Sequence, residues 1–183
     1  RQGLPLAAQD VLEGGAFAFG ALMLGWVGTT ALAANQVTVG IASLAWMVPV
    51  SLSMATGVRV AQAAGAGDLD AARRTGIAAM LLGTSLMAVC AVFYVASGRW
   101  LAGLFTDDPE VAALAGTLVS IAGIYQVSDV IQSVSLGALR GLLDNRVPML
   151  ANAVCYWGLS LPTVWFLTFR CGWGAAGVWA GYL

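Results

Sequence analysis

The chain has 183 residues, of which 60% are apolar and only 9% charged, with a mean hydropathy of +0.84. Soluble domains carry roughly 25% charged residues, so this composition excludes one and requires a membrane protein. Eight Arg with no Lys, against nine Asp or Glu, give a net charge of -1 and no basic surface for a nucleic-acid backbone. His is absent, which removes the commonest general base and metal ligand, so carboxylates must carry any proton chemistry. The odd set Cys90, Cys155 and Cys171 has no disulfide or zinc spacing and reads as small core residues. A crossing of a ~30 Å hydrocarbon core needs ~20 apolar residues, which leaves room for about five or six helices and no separate soluble domain.

Charges, Gly and Pro divide the chain into six candidate spans: 4–27, 33–58, 75–97, 110–139, 147–169 and 174–183, the last cut short. The chain begins at Arg1 and stops at Leu183 inside an apolar stretch, and the expectation is a piece of a longer polypeptide. No charged-then-apolar leader with a cleavage site precedes the first span, so none of these segments reads as a signal peptide. Between Glu13 and Arg59 no charge falls, and only Gly25, Gly28 and Thr29-Thr30 suggest the turn that so long an apolar run needs.

The Arg residues test this division, because they gather in short cytoplasmic loops. Arg1, Arg59, Arg73, Arg74, Arg140 and Arg146 fall on one side of an alternating six-span bundle, and only Arg99 and Arg170 on the other. The expected orientation therefore has a cytoplasmic start, in the cell (inner) membrane. Pro49 and Pro162 lie inside spans, where bilayer helices tolerate them; they are either packing features or bending points of a moving bundle.

Three acids do not belong in lipid: Asp10, Glu13 and Asp129. A carboxylate at a helix centre costs at least ~2.5–3.5 kcal/mol to insert, so each faces a cavity or a partner. At 1.5 Å per residue, Glu13 lies ~14 Å and Asp129 ~15 Å from the same end of the bundle. Two acids at one depth with no Lys and no midplane Arg cannot pair with each other. They hold a proton, share one, or bind a small metal ion such as Na⁺. Tyr125, Asp129 and Gln132 share a helix face through i+4 and i+3 spacing, and oxygen ligands of this kind suit protons or hard cations. Asp10 faces roughly as Glu13 does, and Gln36 is a neutral polar group able to line the same space.

The ordered set Gly3-Leu4-Pro5 with Glu13, Gly57-Val58-Arg59-Val60, Gly65-Ala66-Gly67-Asp68 with Ala72-Arg73, Tyr125-Gln126 with Asp129, and Leu139-Arg140-Gly141 with Asp144 and Arg146 resembles the multidrug and toxic compound extrusion (MATE) family, in its NorM-like branch. The resemblance runs along essentially the whole chain. It implies an all-α integral membrane fold: a six-helix bundle that is the C-terminal half of a twelve-helix, two-bundle antiporter, with the N-terminal bundle missing here. It also implies a coupling-cation site at Glu13, Tyr125 and Asp129, with Na⁺ or H⁺ as coupling ion and no other cofactor. Gln36 and Asp108 are implied as contacts for cationic drugs; Asp10 and Gln132 are expected as cavity residues from the helix faces they share with Glu13 and Asp129. Asp10 and Leu143 depart from the family pattern.

The expected function is efflux of small cationic amphiphiles in exchange for Na⁺ or H⁺, a transporter and not an enzyme. Two rivals are weighed against it. A flippase for lipid-linked oligosaccharides would present several midplane Arg or Lys to its anionic cargo. An intramembrane aspartyl protease would use the Gly-x-Gly-Asp string ending at Asp68, but Asp70, Arg73 and Arg74 put Asp68 in a wet loop, whereas a catalytic dyad needs both acids at one depth.

Overall fold

The computed structural model describes residues 3–144 and 146–183, at 3–6 and 146 by backbone alone. Arg1 and the side chain of Arg146, two members of the Arg set above, lie outside the described residues. Among the described residues the fold is helical without strands: α1 (Gly3–Val27), α2 (Thr29–Gly65), α3 (Leu69–Gly103), α4 (Pro109–Gly141), α5 (146–170) and α6 (Ala175–Gly181). The first five are long and apolar enough to cross a membrane, so this is a multi-pass membrane protein.

α2 and α3 run well past the expected 33–58 and 75–97. A charge ends the stretch that lipid accepts, but it does not end the backbone hydrogen bonding, so both helices continue through Arg59, Arg73 and Arg74. At 37 residues, α2 is ~55 Å long, nearly twice the hydrocarbon thickness. The connection shrinks to residues 66–68, and Asp68 caps α3 by accepting the Ala71 amide at 2.8 Å. The turn between α1 and α2 is the single residue Gly28, at φ 151°, a conformation that a side chain would oppose.

α4 is the central helix. Between Val111 and Gly137 it buries twelve residues, Gln126 and Asp129 among them, whereas α3 buries a sparser stripe, Ala72, Ala79, Gly83, Met87, Tyr94, Gly98 and Ala102. Much of the rest of α3 is apolar and exposed, with Val89 and Val92 at 67% and 71%. That inside-out distribution is unfavourable in water and neutral in lipid, where small residues and hydrogen bonds hold helices together. Here Gly98 meets Gly116 across α3 and α4, the Tyr94 hydroxyl donates to the Ile41 carbonyl at 2.9 Å, and Gln126 Nε2 donates to the Ala42 carbonyl at 2.8 Å.

α5 is irregular. It starts as an α-helix at Arg146–Asn152, widens into π-helical turns at Ala153–Ser160, tightens at Leu161–Trp165 and widens again at Phe166–Arg170. Pro162, which has no amide to donate, stands where the first wide stretch ends. The cysteine expectation is corrected: Cys155 and Cys171 are exposed and Cys90 is half-buried, all as free thiols. A small thiol on a lipid-facing surface costs nothing in hydrocarbon, so apolar surroundings in the chain do not imply the core.

Candidate cation site

Glu13 of α1 and Asp129 of α4 face one cavity of about 630 Å³. Asp129 is 5% exposed, and its Oδ2 is buried and accepts no hydrogen bond among the described residues. Tyr125, one turn before it, and Gln132, one turn after, line the same cavity, so the expected face is assembled. These three residues also line a second cavity of about 610 Å³ between α4 and α5. They form the partition between two spaces.

Glu13 is held from α5. Asn152 Nδ2 donates to Glu13 Oε2 at 3.5 Å, and Asn152 Oδ1 accepts from Gln132 Nε2 at 3.4 Å. Gln132 in turn pairs with the Tyr156 hydroxyl, donating at 3.3 Å and accepting at 3.4 Å. Both Asn152 and Tyr156 are 4% exposed, so the network is sheltered.

Aromatic rings close the interior end. Phe17 lies edge-on to Tyr125 at 6.4 Å and against Tyr182 at 4.8 Å, and Trp179 stands edge-on to Tyr125 at 6.2 Å. Phe17, Trp46, Tyr125 and Trp179 all contribute to the cavity wall. Faces of such rings attract cations.

At the opposite end, Arg140 reaches the cavity and pairs with Asp10 at 3.8 Å. Among the described residues no Arg stands at midplane, as expected, yet Arg140 enters the same cavity as the acids from the helix end. An Arg on the last turn of a helix carries a side chain long enough to fold back along the bundle, which counting residues to the helix end leaves out.

Two expected residues stand elsewhere. Gln36 is exposed and does not line either cavity among the described residues; its neighbour Asn35 is the buried amide, accepting from Trp179 Nε1 at 3.1 Å. Asp108 caps α4, accepting the Glu110 amide at 2.9 Å and the Val111 amide at 3.3 Å. Asp68 lines neither cavity. Sequence spacing does not single out Asn152, Tyr156 or Arg140, although a polar Asn inside an apolar span is a signal of the same kind as Asp129.

The chain resembles known proteins in sequence and in fold. The chain is 42% identical over 184 residues to the multidrug resistance protein NorM of Burkholderia vietnamiensis, covering 98% of this chain and 40% of that protein. It is 41% identical over 185 residues to the probable multidrug resistance protein NorM of Xanthomonas axonopodis pv. citri, covering 100% and 40%. The chain thus spans about 40% of the length of these curated relatives. The eukaryotic MATE transporter AtDTX14 superposes with a TM-score of 0.91 at 23% identity, covering 100% of this chain and 41% of that one. An outward-facing multidrug resistance MATE transporter of the MOP superfamily superposes at 0.90 with 18% identity, covering 98% and 40%. At these identities the structural matches speak for the fold. The family model MatE matches residues 5–166, and the chain belongs to that family.

Proposed function

We propose that this chain is one six-helix bundle of a two-bundle multidrug efflux antiporter, which exports cationic amphiphiles in exchange for Na⁺ or H⁺ by alternating access. The observation that carries the reading is the buried Oδ2 of Asp129, without a hydrogen-bond partner among the described residues, facing Glu13 across a single cavity. An ionised carboxylate so placed is unfavourable until a positive charge arrives, whether from the coupling ion or from the cargo. Aromatic walls beside the acids suit a flat, apolar cation. The lining holds Asp10, Glu13 and Asp129 against Arg140 alone, which favours cationic cargo over the anionic headgroups a flippase carries.

In this mechanism, ion and drug compete for the same negative charge. The ion neutralises Glu13 and Asp129, the cargo loses its counter-charge and leaves, and the bundle pair reorients. Each ligand moves the equilibrium only by its differential affinity for the two states. The other bundle, the cytoplasmic start of α1 and the inner-membrane location belong to the same proposal. The test is efflux of a fluorescent cationic dye by proteoliposomes containing the complete polypeptide. Asp129→Asn, which keeps the shape and removes the charge, is expected to insert normally and lose ion-driven efflux; full ion-coupled efflux by that variant rejects the assignment.

A further inference from the structure

The two acids are not equivalent, and the difference comes from α5. Asp129 receives no donor at Oδ2 among the described residues. Glu13, by contrast, accepts from Asn152 Nδ2, the one side-chain hydrogen bond to it among the described residues. Asn152 could offer either its carbonyl or its amide to Glu13, and the choice is made by Gln132. Because Gln132 Nε2 donates to Asn152 Oδ1, the NH₂ group is the end left to face Glu13. Gln132 is itself steadied by the Tyr156 hydroxyl, which both donates to it and accepts from it.

We infer that Asn152 is a positioning residue of the cation site, aiming the Glu13 carboxylate so that the arriving cation meets it and Asp129 together. The inference rests on the proposed cation-coupled reading and goes beyond it by assigning a role to α5. A side chain that orients a ligand from behind alters affinity for the ion far more than it alters the fold, commonly by ~10–100-fold. The long 3.5 Å contact is consistent with that role, since such bonds tighten when the ligand arrives. The arrangement also uses the irregular backbone of α5, because Asn152 ends its α-helical part and Tyr156 lies in the π-helical turns, a form of helix frequent at functional sites.

The test measures binding of ²²Na⁺, and separately the Na⁺ and H⁺ dependence of dye efflux, using the complete polypeptide in proteoliposomes. Asn152→Leu keeps the branched shape and removes the donor. It is expected to raise the half-saturating ion concentration at least about tenfold, with the maximal efflux rate little changed. In a Glu13→Gln background the same substitution is expected to add nothing, because the group it acts through is gone. Gln132→Leu, which frees the Asn152 amide to turn, is expected to shift ion affinity in the same direction and serves as the second variant if Asn152→Leu does not fold. Unchanged ion affinity in a folded Asn152→Leu protein, or a further loss in the Glu13→Gln background, overturns the inference while leaving ion coupling intact. A wild-type protein with no ion dependence at all overturns the proposed function and this inference together.

Discussion

Ser53 of α2 and Gly137 of α4 meet so closely that a β-carbon on Gly137 would collide with the Ser53 carbonyl oxygen. One turn earlier on α4, the Ser133 carbonyl accepts the Ser53 hydroxyl at 2.7 Å. One turn later, a β-carbon on Gly141 would lie 2.6 Å from the Gly57 carbonyl oxygen. The seam is backbone against backbone, and Ser53 and Ser133 also line the acidic cavity, so helix spacing here sets cavity width. Gly137→Ala is expected to lower stability by ~1–3 kcal/mol, the cost of overpacking a close contact, read as earlier thermal unfolding in detergent. Gly76→Ala, whose β-carbon would meet nothing within 4 Å, is the control and is expected to unfold later than wild type, by the ~0.5–1 kcal/mol that alanine gains over glycine inside a helix.

The Asp10–Arg140 pair calls for a different expectation. Asp10 is 69% and Arg140 37% exposed, at a separation of 3.8 Å. Exposed pairs contribute about 0–1 kcal/mol, so Asp10→Asn is expected to leave thermal unfolding almost unchanged. Its effect falls on the site instead: Arg140, released from Asp10, is attracted by Glu13 and competes with the incoming cation. Apparent ion affinity in dye efflux is expected to weaken by less than about tenfold, and Arg140→Gln in the same protein to restore it. An Asp10→Asn protein with wild-type ion dependence removes Arg140 from the account.

Much of the acid site was legible because lipid makes a lone carboxylate conspicuous: Asp129 and Glu13 stand out in apolar runs, and helical spacing alone brings Tyr125 and Gln132 beside Asp129. What sequence spacing leaves out is the rotation of one helix against another. Gln36 and Asn35 are adjacent amides, and only packing against Trp179 decides that Asn35 is the buried one. Asn152 belongs to a helix whose wide turns break the 3.6-residue count, so its face could not be read by period. Helix ends beyond the membrane were likewise hidden, because hydropathy reports where lipid stops and α2 and α3 continue past that point.

Asp108 separates two roles that a carboxylate can combine. The resemblance implies a contact for cationic drugs, while the geometry gives an N-cap of α4. Asn caps as well as Asp does, and Ala costs ~0.5–2 kcal/mol. Asp108→Ala is therefore expected to unfold earlier, and Asp108→Asn to match wild type in both unfolding and drug resistance. Resistance lost in Asp108→Asn with stability kept would establish that the charge itself handles drugs.

Two helices in this protein end on the same hydrogen-bonding motif with different residues at the critical place. After α2, the Asp68 amide donates to the Ala63 carbonyl at 3.0 Å and the Gly67 amide to the Ala64 carbonyl at 3.0 Å, with Gly67 at φ 77°. After α4, the Asp144 amide donates to the Leu139 carbonyl at 3.0 Å and the Leu143 amide to the Arg140 carbonyl at 3.0 Å, with Leu143 at φ 62°. The motif requires a left-handed residue, and glycine adopts it without the clash of a β-carbon. A leucine there costs ~1–2 kcal/mol, and at 68% exposure it recovers little by burial. Glycine loses ~0.5–1 kcal/mol more backbone freedom on folding, so Leu143→Gly is expected to stabilise by roughly 0.5–1 kcal/mol, the difference between those two terms. Leu143→Ala keeps the β-carbon and is expected to gain nothing. Thermal unfolding of the three proteins side by side checks this: equal midpoints for Gly and Leu would mean that the turn after α4 relaxes out of the left-handed conformation in solution.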